Sequence, residues 1–263
     1  MRLEFIIAGL VVGILVGLTG TGGGTVMTPI LILLGVRPTL AIGSDLAYSS
    51  VTKLIGAIQH GRLGQIRLRP ALFLSLGSIP ASLLGVYIIA RLRMMPGVNV
   101  EHVVTRFLAW TLVIVAALLI IQPFVTSYVW PKDQPNVFLE RLRVMRRHRP
   151  KALVVVGLVI GLLVGLTSVG GGSMVMIAML LLFPKWPMRQ RVGTDVFQSF
   201  LFSVAAAAGH WALGNVNPTL VVELLIGSIP GVLLGARLTA AMPERLLRPL
   251  VVGVIAFSAW KLL

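Results

Sequence analysis

GLTGTGGGT, residues 17–25, places five glycines and three threonines in nine positions. It lies inside an apolar run that extends from about residue 3 to residue 35. A straight helix over that run would measure roughly 50 Å, against a bilayer hydrocarbon core of about 30 Å. Glycine lowers helix stability and permits backbone that other residues avoid. The stretch therefore predicts a break that leaves two short arms of about 16 and 11 residues, each too short to cross alone. Non-helical backbone at membrane depth persists only where protein buries it or where it lines a wet cavity.

The rest of the chain gives that break its setting. Of 263 residues, 57% are hydrophobic and only 12% charged, and mean hydropathy is +0.95. Soluble domains carry roughly 25% charged residues. Apolar runs recur near 3–35, 40–60, 71–90, 103–125, 152–183, 193–213, 218–236 and 246–263. These runs identify an all-α membrane protein whose environment is the lipid bilayer. Cysteine is absent, which removes thiol chemistry and cysteine-based metal sites. No cofactor or metal motif is present. The net charge of +15 reads as loop charge that orients the chain, with no nucleic-acid partner.

The opening motif returns. GILVGLTGTGGGTV (13–26) aligns with GLLVGLTSVGGGSM (161–174), nine of fourteen positions being identical. Two residues out of step with that match, IGSDLAYSS (42–50) faces VGTDVFQSF (192–200), His60 faces His210, and LGSIPASLLG (76–85) faces IGSIPGVLLG (226–235). The chain is read as a duplication: a first membrane repeat over 1–125, a basic cytoplasmic linker over 126–151 and a second repeat over 152–263. Corresponding loops carry opposite charge bias, because Arg62, Arg67 and Arg69 (61–70) face an uncharged WALGNVNP (211–218). Placing the linker, 61–70, 184–192 and 237–248 in the cytoplasm puts 16 of the 23 basic residues there. The positive-inside rule then predicts two repeats of inverted topology. Inversion needs an odd number of crossings per half. Each repeat is therefore expected to hold one re-entrant, glycine-broken hairpin and three full transmembrane helices.

Repeats of this kind build secondary transporters, with the substrate held near the midplane at half-helix N-termini. The arm after each break offers free N–H groups and the positive end of a helix dipole. Thr19, Thr21, Gly22, Gly23, Gly24 and Thr25 in the first repeat are the candidate substrate-binding residues. Thr167, Ser168, Gly170, Gly171, Gly172 and Ser173 are their counterparts in the second. The loops read as an anion cradle without fixed positive charge, although the same glycines also suit close helix packing. GTGGGT lacks the GK[ST] ending of a phosphate-binding loop, which argues against an ATPase.

Ionisable residues inside apolar segments usually face a cavity or a partner. Asp45 and Asp195 are matched candidates for coupling to a proton or cation, or for capping helices that begin nearby. His60 and His210 are candidate proton relays, but each lies fifteen residues past its aspartate, about 22 Å along a helix, which favours an interfacial position. Lys53, opposite Ser203, has no basic counterpart and is read as attracting an anion, with snorkelling to a lipid headgroup as the alternative. Gln59 and Gln198 are hydrogen-bonding candidates beside them, as are Ser49, Ser50 and Ser199. A passive anion channel on the same scaffold is the alternative to a transporter. The matched Ser, His and Asp pairs show no nucleophile–base set, so no enzyme is expected.

The paired GLTGTGGG and GLTSVGGG, the GSD and GTD that follow, and the repeated GSIP…LLG resemble the TauE/SafE sulfite exporter family over essentially the whole chain. The resemblance implies a multi-pass permease of the cytoplasmic membrane that moves sulfite or organosulfur anions such as sulfoacetate, driven by an ion gradient. The second loop departs from the first by carrying Val169 where the first has Thr21.

Overall fold

The computed structural model describes residues 2–19, 24–129, 149–183, 185–239 and 244–263. Among them are ten helices and no strand: α1 (Leu3–Thr19), α2 (Gly24–Leu33), α3 (Pro38–Arg62), α4 (Leu68–Met94), α5 (Val100–Val129), α6 (Arg149–Thr167), α7 (Gly171–Leu182), α8 (Met188–Ala212), α9 (Pro218–Thr239) and α10 (Glu244–Leu262). The overlong apolar run of the second half is interrupted at its glycines, while residues 20–23 of the first lie outside the described residues. Gly170 adopts φ +93° and Ser168 φ +61°, left-handed backbone that ends α6 and starts α7. The linker between 130 and 148 lies outside the described residues.

Both broken segments fold back. The Arg149 guanidinium, at the start of α6, sits 5.0 Å over the ring of Phe183, just past the end of α7. Arg2 and Phe5, at the start of α1, share one bay with Leu34–Arg37, just past α2. One arm differs from expectation. With 19 residues, most of them apolar, α6 is long enough to cross by itself, one of five such helices among the described residues.

Helices from the two halves pair with each other. α3 and α8 run antiparallel: Gly43 lies against Asn215, Gly56 against Val196 and Gln65 against Gly193. At one end of this pair Thr194 accepts a hydrogen bond from the Arg67 amide (3.0 Å), and at the other Ser44 accepts one from the Asn217 amide (3.1 Å). On one side α1 packs along α9, and on the other α4 packs along α6. These contacts are backbone to backbone and parallel. Gly157, Gly161 and Gly165 meet Leu74, Ser78 and Ser82, while Gly227, Gly231 and Gly235 meet Ile6, Leu10 and Ile14. A Cβ at any of these glycines would overlap a main-chain oxygen of the neighbour, so small residues set the helix separation. The glycines outside the breaks thus do serve close packing.

Two apolar clusters flank the α3–α8 pair. One joins Val12, Met27, Tyr48, Leu112, Leu224 and Ile255, and the other Ile42, Leu74, Ile160, Met179 and Phe202. Outward positions remain apolar, among them Leu76, Leu233 and Trp260, as contact with hydrocarbon requires. Pro80 and Pro230, from the repeated GSIP, lie inside α4 and α9.

Candidate functional site

The second glycine break opens onto a small cavity of about 30 Å³. Its lining includes Lys53 from α3, Ser168 and Gly170–Gly172 from the break, and Asp195, Ser199 and Phe202 from α8. That volume holds a water or two and is smaller than a sulfonate. The first-turn amides of α7 have no intrahelical acceptor except that of Met174, which bonds to the Gly170 carbonyl (3.2 Å). Larger bays of about 410 and 380 Å³ lie at the helix ends around Arg2, Arg37 and Arg93, away from the breaks.

Lys53 occupies the seam between the halves. Its Nζ donates to Ser203 Oγ (3.2 Å) and stands 5.2 Å from the centre of the Phe202 ring. Ser203 is the residue that duplication places opposite Lys53, so two matched positions meet here. Lys53 is close enough to interact electrostatically with Asp195 and, less strongly, with Asp45. A basic side chain contributed by another helix thus lines the second break, a neighbour that the loop residues alone did not reveal.

The two aspartates lie inside α3 and α8, several residues from either helix start, so the capping alternative does not hold for them. Asp45 is fully buried. Thr28 Oγ1 (2.6 Å) and Ser168 Oγ (2.7 Å) donate to its Oδ2, and Ser49 Oγ (3.4 Å) to its Oδ1. Asp45 thus ties α2 of the first half to the break of the second. Among the described residues Asp195 accepts a single hydrogen bond, from Ser199 Oγ to Oδ1 (3.1 Å), and it faces the cavity.

Other candidates lie elsewhere. The Thr167 hydroxyl turns back to the Leu163 carbonyl (2.7 Å), and that of Ser173 to the Gly170 carbonyl (3.3 Å), so both finish the break rather than line the cavity. Gln198 is buried and donates to Ser78 Oγ (2.9 Å). Tyr48, at the position matching Gln198, is hydrogen-bonded to Ser228, which matches Ser78. Gln59 is exposed, and its helix face points away from the site. His60 is half-buried and bonded through Nδ1 to Gln65 (2.6 Å), as an interfacial residue. His210, also in the last turn of its helix, is fully buried: Nε2 donates to the Gly165 carbonyl (3.0 Å) and Nδ1 accepts from Asn215 (3.1 Å). Asn215 also holds Arg93, whose guanidinium bonds the Leu213 carbonyl (2.9 Å), so the imidazole is built into a helix-end network.

In the first break Gly22, Gly23 and Thr21 lie outside the described residues, and for Thr19, Gly24 and Thr25 only their place in a helix is described. Thr28 was not singled out from the sequence. Its duplicate is Met176, so the repeat gave no sign of a polar role.

Comparison with known proteins agrees with this architecture. The family model described as sulfite exporter TauE/SafE matches residues 5–262. The probable membrane transporter protein YjnA of Bacillus subtilis (strain 168) is 38% identical over 100% of both chains. YdhB of the same organism, also a probable membrane transporter protein, is 27% identical over 90% of this chain and 89% of its own. A third, YunE, is 26% identical over 92% and 88%. No solved structure matches. The chain belongs to the TauE/SafE sulfite exporter family and is a multi-pass membrane transporter.

Proposed function

We propose that this protein is a secondary transporter of the cytoplasmic membrane that moves a small oxyanion, sulfite or an organosulfonate such as sulfoacetate, coupled to an ion gradient. The observation that carries the reading is the cavity behind the second break. There Lys53, the one cation among the described residues of the lining, stands with the first-turn amides of a half-helix N-terminus inside an apolar bundle. Such donors replace the hydration of an anion at low dielectric. The first break, with Thr19, Thr21, Gly22, Gly23, Gly24 and Thr25, supplies a pseudo-symmetric partner site in this reading. The substrate class comes from the family description, since the donors themselves accept any small oxyanion.

The halves are proposed to be inverted repeats with boundaries at 1–125 and 152–263, joined by a basic linker on the cytoplasmic side. Antiparallel packing of α3 on α8 supports the inversion, as does the fold-back of the two broken segments at opposite ends of that pair. The small volume of the cavity favours alternating access over a wide anion channel.

Counterflow of labelled sulfite and sulfoacetate in proteoliposomes, comparing wild type with Gly171→Leu, tests the reading. A Cβ on Gly171 already comes within 3.1 Å of the Phe202 ring, so leucine fills the cavity. Saturable exchange that the substitution abolishes is expected. Exchange that persists in a folded Gly171→Leu protein removes the break from the pathway, and a flux of both anions without counterflow indicates a channel.

A further inference from the structure

An anion in the cavity behind the second break meets a difficulty. Lys53 and the amides of Gly171 and Gly172 favour it, but the Ser168 and Ser199 hydroxyls already donate to Asp45 and Asp195, and a carboxyl group, Asp195, lines the same small space. At about 5 Å and an effective dielectric near 20, like charges repel by an amount worth on the order of 100-fold in affinity. Asp195 is well buried and has a single hydrogen bond, on Oδ1; Oδ2 has no partner among the described residues. Lys53 and Asp195 share the cavity lining without a direct ion pair, which leaves the space between them to a guest.

Its duplicate is differently placed. Asp45 takes three hydroxyl donors across both oxygens and does not contribute to the cavity. It is an anchor for the break through Ser168.

We propose that Asp195 takes up a proton with each anion that enters, so that the transported unit is the anion together with H⁺. This inference rests on the reading of the second break as an anion site. The proton comes from the aqueous side that delivers the anion and binds Oδ2, where the neutral carboxyl becomes an O–H donor to the guest. When the anion leaves on the other side the proton follows it, and the carboxylate is again balanced by Lys53. The ionisable groups near Asp195 fit this assignment. α3 presents Lys53 and, farther off, Asp45; α7 carries no ionisable residue. α6 carries Arg149 and Lys151 only at its start, where Arg149 lies over Phe183. At the α4 end, Arg67 is held by Gln190 and Thr194. On α8 itself Arg191 is buried one turn before Asp195, and His210 is bonded to Gly165 and Asn215.

The experiment uses purified protein in liposomes that contain a trapped pH indicator, with labelled sulfoacetate as the probe because it does not titrate near neutral pH. Wild type is expected to move protons in the direction of sulfoacetate and to accumulate the anion when a pH gradient is imposed. Asp195→Asn is expected to lose gradient-driven accumulation at least 10-fold more than it loses counterflow, and its flux should no longer vary with pH. Sulfoacetate flux in wild type without accompanying protons overturns the proposal and leaves the anion site standing. So does gradient-driven accumulation that survives in Asp195→Asn. If wild type moves neither sulfoacetate nor sulfite, the reading of the break as an oxyanion site falls, and this inference falls with it.

Discussion

Asp45 and Asp195 occupy one position in a duplicated sequence, yet the first is wrapped by Thr28, Ser49 and Ser168 while the second holds one serine and faces an open space. Ser49 and Ser199 are matched and do the same thing, each donating to the aspartate one turn earlier. The difference arises from residues the duplication did not keep. Thr28 stands where the second half has Met176, Ser168 where the first has Gly20, and Lys53 where the second has Ser203. A repeated scaffold supplies two equivalent carboxylates, and a few unpaired substitutions give one an anchoring place and the other a place in the cavity.

The comparison can be broken most forcefully at Lys53. Removing one member of a charged pair that binds its partner directly costs about 2–5 kcal/mol, and Lys53 is partly buried. Lys53→Gln should therefore weaken anion binding by on the order of 100-fold, read as the half-saturating concentration in counterflow. The double variant Lys53→Ser with Ser203→Lys returns the cation to the same seam from the other half and should recover much of that loss. Failure to recover would show that the two sides of the seam are not interchangeable.

The helix crossings come next. Gly161→Leu pushes a side chain into the Ser78 carbonyl, and overpacking of this kind costs about 1–3 kcal/mol or more. Lower yield and a lower melting temperature in detergent are expected. Gly253→Leu, at a position with open space around it, should melt like wild type.

A smaller effect separates the aspartates by stability alone. Asp45→Asn leaves Thr28 and Ser168 facing an amide, and hydrogen bonds to a charged acceptor are worth about 1.5–3 kcal/mol each. Because the amide oxygen retains part of that bonding, a net loss near 2 kcal/mol is expected. Asp195→Asn disturbs one such bond and should melt within about 1 kcal/mol of wild type. Equal losses would mean that the crowded and the sparse carboxylates do equivalent structural work.

The mildest contrast is between the histidines. His210→Ala strands the Gly165 carbonyl and Asn215 in the interior and should cost about 1–3 kcal/mol. His60→Ala, at a half-buried helix end, should change the melting temperature little.

Much of this was legible because breaks, charges and repeats are exceptions in an apolar chain. Two runs too long for the bilayer, each with glycines in the middle, gave the broken helices directly, and the repeat paired α1 with α6 and α3 with α8. Which side of each helix faces inward was not legible. In a soluble helix the apolar stripe marks the buried side, but in a bilayer both sides are apolar and the contrast vanishes. Gln59 and Gln198 looked alike on paper and are exposed and buried respectively. Thr28 was missed for the same reason, and the burial of His210 was not legible because distance along a helix does not measure burial.

The exchange of partners between halves also bears on how the protein is made. The glycine faces of α1 fit α9, which begins only at Pro218, and those of α4 fit α6, which follows the linker. At about 5–20 residues per second the ribosome needs roughly 10–40 s to bring α9 out after α1. Throughout that interval the first half is inserted but unmated. It must be shielded by lipid or an insertion factor from pairing with a second nascent copy, whose own α9 would fit it equally well.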